Sequence, residues 1–445
     1  MRIRETTILM KLEDVILNLA KQIRRFLRDF RWRSIHDFGA VEDSFPENSA
    51  PVLTVPPNLD LAVLVLNQLG EISKAANVII SRDYPQGLIS NLDNNLTTRN
   101  ITWQRWDQKQ WDGTRPWISS SDLLPEKKRI HDQSDIVGNG VFMSPYPASL
   151  FKLPLSFFLL EEVSSKRLDL SDIRRDLRKM LTVSSNESTR NLLKLTHDNQ
   201  RISAMNRRFK ELGLGTIQIK GTDPKSGGSW NPGLISMSAM DTAKLLWLIQ
   251  ADKGSSSSWA NTRNDKPAES KLNSHSKKLL LKHLGNQAFN ETLSTANFGV
   301  GGTRSEDMGP PNVIPGIPNY VPGKWIDDIT GAVIVNSDGE IIDYGEDVRS
   351  YNNDIANKRF LHKTGITYNF GSDAGIVVRN DGKDANRYII SFFSNLGYRY
   401  VDEVFSNRKS YPFYDDPGPI AHTQEIPRLG NNVDQLMSDL FKVQP

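Results

Sequence analysis

The residues of this 445-residue chain best suited to chemistry stand in the segment Tyr146-Pro-Ala-Ser149-Leu-Phe-Lys152-Leu-Pro154. A helix that begins near Ser149 places its hydroxyl beside free backbone N–H groups and the positive end of the helix dipole. Lys152 comes three residues later, on the same helical face. The following run, Leu153 to Leu160, is strongly apolar, so the helix is expected to be buried. A buried Lys loses its proton more readily and can serve as a base. A Ser hydroxyl beside a neutralisable Lys is a nucleophile with its activator. The competing reading is a Ser helix cap with a surface Lys. The same spacing recurs at Ser274–Lys277 and Ser406–Lys409, but in polar stretches that would leave the Lys solvated.

Two further groups of residues could complete such a site. Ser184-Ser185-Asn186 lies between two helical patterns. There Ser184 could relay a proton and Asn186 could hold a substrate amide, or the segment could simply cap the next helix. His362-Lys363-Thr364-Gly365 runs into Ile366-Thr367. Lys363 offers a positive charge, Thr364 a hydroxyl, and Gly365 a close backbone approach at a strand edge. That edge could add main-chain bonds to an extended substrate. The backbone N–H groups of Ser149 and Ile366 could form an oxyanion hole. A competing K-S-G, Lys225-Ser226-Gly227, sits in a Pro/Gly-rich loop and is discounted.

Taken in this order, the three groups resemble the S-x-x-K, S-D-N and K-T-G motifs of the serine β-lactamase / penicillin-binding-protein superfamily, with class A β-lactamase-like serine hydrolases the nearest likeness. "MLTVSSNESTRNLL" and "NPGLISMSAMDTAKLL" resemble that family's stretches around S-D-N and after the omega loop. The likeness spans roughly 59–443. It implies Ser149 as the acylated nucleophile, Lys152 as its base, and Ser184 as the proton shuttle to the leaving group. It also implies Asn186, Lys363, Thr364 and Gly365 as substrate-binding residues, and the Ser149 and Ile366 N–H groups as the oxyanion hole. Three departures stand out. Ser185 replaces the motif's Asp, the 35 residues from Ser149 to Ser184 imply a trimmed helical subdomain, and the omega-loop E-x-x-x-N is missing. The region Gly213–Gly233 has no Glu and only Asp223 as an acid, so an acyl-enzyme formed with a β-lactam is expected to be long-lived.

The elements needed to position these residues can be sketched from the pattern. Residues 10–33 read as an amphipathic helix with Arg24, Arg25, Arg28 and Arg31 on its polar face. Residues 1–36 carry nine Lys/Arg and four Asp/Glu, a local +5, which leaves −2 for the remainder of a chain at +3. Such a helix could pack on the main domain or another subunit, or lie on an anionic membrane surface. Residues 1–38 are thus read as a basic arm, 39–58 as a Pro-rich linker, and 59–445 as the catalytic domain with insertions at about 88–135 and 253–356. Within it a helix is expected over 59–73, and strands at 76–81 and 136–142. Helices are expected at 149–163, 171–182, 187–196, 201–212, 238–250 and 431–442, and a loop at 252–275. A hairpin is expected at 332–335 and 340–344, and strands at 359–367, 374–378 and 387–393. The four Trp at 103, 106, 111 and 117 could bind glycans or bases, or pin a loop to the core. The sum is an α+β layout, with an antiparallel sheet built from both ends of the chain, flanked by helices and joined to a helical subdomain.

Composition narrows the chemistry. There is no Cys, which excludes disulfides, Cys-bound zinc and a thiol nucleophile. The seven His form no H-x-x-x-H pair, so no metal or cofactor is called for. The near-neutral balance gives no footprint for nucleic acid. No stretch reads as a transmembrane helix or a secretory h-region, so the sequence favours the cytoplasm or a membrane surface, whereas the resemblance favours the cell envelope. The expected activity is serine acyl-hydrolysis of an amide or ester, β-lactam or peptide-like and carrying a carboxylate, with poor β-lactam turnover. The alternatives are a penicillin-binding carboxypeptidase- or esterase-like enzyme, and a non-catalytic binding module that keeps the pocket.

Overall fold

The run Leu59–Leu66 (LDLAVLVL) is buried along its whole length. Alternate residues serve opposite faces: Ala62, Leu64 and Leu66 pack with one core, and Leu59, Leu61, Val63 and Val65 with the other. This is the signature of a central strand covered on both sides. The computed structural model describes residues 19–37, 52–107, 140–198, 201–251, 257–295, 316–379, 387–402 and 423–443.

In chain order, α1 (19–28) and β1 (Ile35–Asp37) precede β2 (Leu59–Leu66), β3 (Ile72–Ile80), β4 (Leu88–Ile89), β5 (Ile101–Gln104) and β6 (Gly140–Met143). A 3₁₀ turn, Ala148–Phe151, leads directly into α2 (Lys152–Ser164). Then come α3 (Leu170–Thr182), α4 (Asn186–His197), α5 (Arg201–Glu211), β7 (Gln218–Ile219), β8 (Ile235–Ser236), α6 (Ala239–Gln250) and α7 (Ser274–Leu284). The last third carries the hairpin β9 (Ala332–Ser337) and β10 (Glu340–Asp347), α8 (Arg349–Asp354), β11 (Lys358–Ile366), β12 (Gly371–Arg379), β13 (Tyr388–Ser394), β14 (Tyr400–Asp402) and α9 (Glu425–Val443).

The main sheet has the order β11-β12-β13-β2-β3-β4 and is antiparallel throughout. Both parts of the chain therefore build it, and the fold is α+β. One face packs on α2, α6 and the other helices of the middle region. The other packs on Leu19, Ile23 and Leu27 of α1 and on Ile426, Leu429, Val433 and Met437 of α9. The sheet thus lies between two helical layers, each buried by the apolar stripe of its helices.

Several expectations need correction. Residues 59–73 form β2 and the start of β3, not a helix. A short, continuous apolar run has no period that separates the two, and Val63 and Val65 favour the pleated form. Strand β3 is correspondingly longer than 76–81. The stretch from 88 is not wholly a surface insertion: β4 extends the main sheet, and β5 pairs in parallel with β6. Trp103 and Trp106 are buried there, edge-on to Phe142 and Phe370, so both pin the segment to the core. Trp111 and Trp117 lie outside the described residues. Helix α7 was missed because its Lys- and Ser-rich start resembles the preceding loop; Asn273 caps it. Helix α9 starts six residues before 431 because Pro427, placed in its first turn, needs no donor there.

The basic arm, as far as it is described, belongs to this body. Arg31 pairs with Glu425, Arg24 Nε donates to the Gln86 carbonyl, and β1 pairs with β14. The apolar side of residues 19–30 is covered by the sheet, and residues 10–18 lie outside the description. In the linker, 52–58 are tied down by Leu53 N–H to the Ile35 carbonyl and by Asn58 to Asn395 and Met143. Among the described residues no helix is long and apolar enough to cross a membrane.

Candidate active site

The site forms where the turn 148–151, the α3–α4 junction and the edge strand β11 converge. Ala148 holds φ at +48°, a left-handed conformation that costs a non-glycine residue roughly 1–2 kcal/mol. This kink brings half-buried Ser149 into the 3₁₀ turn just ahead of α2. Ser149 is not the helix cap: the turn follows Pro147 with no side-chain cap bond. Lys152, the first residue of α2, is fully buried, so it is not a surface Lys either.

Lys152 Nζ donates to the Ser184 carbonyl at 2.5 Å, to Asn186 Oδ1 at 2.8 Å and to Ser184 Oγ at 3.2 Å. Burial drives its pKa well below the usual ammonium range, and the charges of Lys363 and Arg190 push the same way while Asp338 opposes. Ser184 sits at φ +56°, and its Oγ also accepts from Lys363 Nζ at 3.0 Å. Ser185 does act as the cap of α4, with its Oγ accepting from Ser188 N–H at 3.0 Å. Capping by Ser185 and presentation of Ser184 and Asn186 are therefore both properties of one turn.

Lys363, on β11, is fully buried and also donates to the Thr364 carbonyl at 2.7 Å. Burial lowers its pKa to about 7, against the pull of Asp373 and Glu291. Strand alternation sends the preceding His362 to the other face, where Nδ1 meets Asp373 Oδ1 at 2.8 Å and the ring stacks on Phe360 at 4.2 Å. Thr364 is buried beside Gly365. A Cβ on Gly365 would stand 2.3 Å from the Pro147 carbonyl oxygen and 2.5 Å from Leu150 N. The strand backbone thus lies against the Ser149 turn at a distance only glycine allows, and Ser372 Oγ seals the junction by donating to the Pro147 carbonyl at 2.6 Å. Ile366 closes β11 at this end. The structure therefore gathers Lys152, Ser184, Asn186 and Lys363 into one hydrogen-bonded group and sets Gly365 against the Ser149 turn.

Three contributors were not found by sequence reasoning. Trp230, in the loop that lacks the Glu, lies 5.5 Å from the Phe151 ring, with Lys152 Nζ 5.8 Å and the Arg190 guanidinium 5.5 Å from its own ring. The loop is pressed onto α4 at Gly227, whose absent Cβ would stand 2.1 Å from the Arg190 carbonyl oxygen. Asp223 in the same loop is half-buried, and it accepts from Lys225 N–H, Ser226 N–H and Ser226 Oγ. It is a turn residue, as is the Lys225-Ser226-Gly227 segment that it organises. The second contributor is Glu291, buried where it bears on Lys363; burial raises its pKa to about 8, although Tyr344 Oη donates to it at 2.8 Å. The third is Asp338 at the hairpin tip, visible in the sequence only as part of an N-S-D-G turn. Its carboxylate accepts from Ser185 Oγ, from Asn186 N–H at 2.7 Å and from Glu187 N–H at 2.9 Å.

No protein-family model matches the chain, and no curated protein matches it. Among solved structures it is similar to PBP-A, in a point mutant captured as an acyl-enzyme complex with penicillin G, at 14% identity over 95% of this chain and 97% of that one, with a TM-score of 0.43. It is also similar to a β-lactamase from Xanthomonas campestris pv. campestris, at 13% identity over 65% of this chain and 82% of that one (TM-score 0.36). An ancestral class A β-lactamase is similar at 12% identity over 66% of this chain and 85% of its own (TM-score 0.35).

Proposed function

We propose that the chain is a serine acyl-hydrolase acting on an amide or ester that carries a carboxylate. The observation that carries this reading is the fully buried Lys152, held by Ser184 and Asn186 three residues after a Ser on a kinked turn. Neutral Lys152 takes the proton of Ser149 as Ser149 Oγ attacks the carbonyl carbon. The N–H groups of Ser149 and Ile366 receive the developing oxyanion. Ser184 Oγ accepts from both lysines, so its own proton is directed elsewhere, toward the leaving group, and Lys152 re-protonates it. Asn186, its carbonyl end held by Lys152, turns its NH₂ end toward the substrate amide. Lys363 and Thr364 bind the carboxylate.

Water then releases the acyl group, and this second step is expected to be slow with β-lactams. The loop from Gly213 to Gly233 offers no Glu, and Asp223 is engaged in its own turn. Labelling with a fluorescent penicillin, resolved by gel and compared with Ser149→Ala, tests the reading. Stable labelling lost in the variant supports it, and rapid nitrocefin turnover would overturn the slow-release part. Absence of both labelling and ester hydrolysis would leave a binding module.

A further inference from the structure

We propose that Asp338 is a positioning residue for this site: the hairpin β9–β10 carries a carboxylate across the fold to clamp the Ser184–Asn186 turn. The inference rests on the acyl-transfer reading above.

Ser184 is left-handed at φ +56°, which a side chain adopts only where its surroundings enforce it. The hairpin grips the backbone on both sides of it. On one side, Ser337 Oγ donates to the Val183 carbonyl at 2.8 Å. On the other, the Asp338 carboxylate takes Ser185 Oγ and the N–H groups of Asn186 and Glu187. Those N–H groups belong to the first turn of α4 and have no partner within the helix. The tip itself is fixed: Asp338 is at φ +54° and Gly339 at +94°, and Asn336 Oδ1 accepts from Gly339 N–H at 3.1 Å. Behind the tip, Val333, Val335, Ile342 and Tyr344 pack with Val183 and Phe289 in a small core of their own. The conformation that aims Ser184 Oγ at both lysines is thus bracketed by one rigid hairpin.

Asp338 also acts on Lys152 through space. The groups bearing on that amine are Lys363 from β11, Arg190 from α4, Asp338 from the hairpin, the Ser184 and Asn186 dipoles, and the Trp230 ring. Among these described groups Asp338 is the anion and favours the protonated form, whereas both cations oppose it.

The test uses Asp338→Asn and Asp338→Ala in the full chain. Ile341→Ala, an exposed position on the same hairpin, serves as control. Fluorescent-penicillin labelling rates are followed from pH 5 to 9, the Lys152 titration by ¹³C-lysine NMR, and amide exchange at 186 and 187 in the same samples. Asp338→Asn is expected to slow labelling roughly 10–100-fold at the optimum, as for a catalytic group displaced by about an ångström. It should also move the acid limb to lower pH, because the lost anion no longer favours protonated Lys152, and speed exchange of both amides. Ile341→Ala should change none of these. Wild-type labelling with an unmoved acid limb in Asp338→Asn overturns the proposal. If the native chain does not label at all, acyl transfer is what fails, and NMR still decides on the clamp: an unmoved Lys152 midpoint with unchanged amide exchange overturns it. If Asp338→Ala does not fold, Asp338→Asn supplies the result.

Discussion

The pH dependence of acylation should be bell-shaped, with its alkaline limb set by Lys363. Lys363 is fully buried, and burial brings its pKa to about 7 despite the carboxylates of Asp373 and Glu291. Only the protonated form attracts a substrate carboxylate, so the competent population is present below pH 7 and lost above it. One unit above that value about 10% of the protein retains the charge, and two units above it about 1%. The second-order labelling rate should therefore fall roughly tenfold per unit beyond pH 7, because that quantity reports the free protein. At saturating probe the limb should move to higher pH, since a bound carboxylate stabilises the ammonium. The acid limb reports Lys152, whose burial lets it become neutral well below the ordinary range. The assay is labelling with fluorescent penicillin from pH 5.5 to 9.5 at constant ionic strength. Lys363→Arg keeps the cation at all these values and should abolish the alkaline limb even if its absolute rate is lower. Asp373→Asn removes the larger of the charges that favour protonated Lys363 and should move the limb to lower pH. A rate that keeps rising from pH 7 to 9, or an unchanged limb in Lys363→Arg, would refute the reasoning.

Other consequences follow from packing. Gly365→Ala forces a Cβ to within 2.3 Å of the Pro147 carbonyl oxygen, so β11 must withdraw from the Ser149 turn. Labelling is expected to fall about 100-fold, and a rate within twofold of wild type would show that the junction tolerates the shift. Arg208 makes a two-pronged pair with buried Glu161, at 2.8 and 2.9 Å. Arg208→Ala strands that carboxylate and should cost about 3–5 kcal/mol in urea unfolding, whereas replacing both partners with Met should recover most of the loss. Leu27 is fully buried against the sheet. Leu27→Ala is expected to cost about 2–5 kcal/mol, while an arm that serves only a membrane surface would leave urea unfolding unchanged.

What could be read from the sequence was what is local. Ser149 and Lys152 are separated by a helical spacing within an apolar run, and Lys363 to Ile366 share one strand, so short windows carry their geometry. The hairpin was legible for the same reason, its two strands flanking the turn Asn336-Ser-Asp-Gly339. The run 59–66 was misread because burial on both faces erases alternation, and with it the cue that separates a strand from a helix. The coverage of the sheet by α1 and α9 was hidden because an amphipathic face does not name what covers it. Trp230, Glu291 and Asp338 escaped for a different reason. Each meets the site through contacts far apart in the chain, and nothing in the neighbourhood of a Trp, a Glu or an Asp says which distant turn it will reach.

Ser185 shows how this limit bears on motifs. In the sequence, a Ser where the motif has an Asp looks like lost support for the turn. In the structure the turn has its carboxylate, delivered by Asp338 from 153 residues away. Ser185 keeps the shorter task of capping α4 and donates its hydroxyl to that carboxylate. Support for a turn is a property of the space around it, so a motif with one substituted residue can be complete in three dimensions. The same reasoning warns against crediting Asp223 as a replacement base merely because it is the only acid in its loop. Its oxygens are taken by the loop's own N–H groups and by Ser226, and the indole of Trp230, not a carboxylate, is what that loop turns toward Lys152.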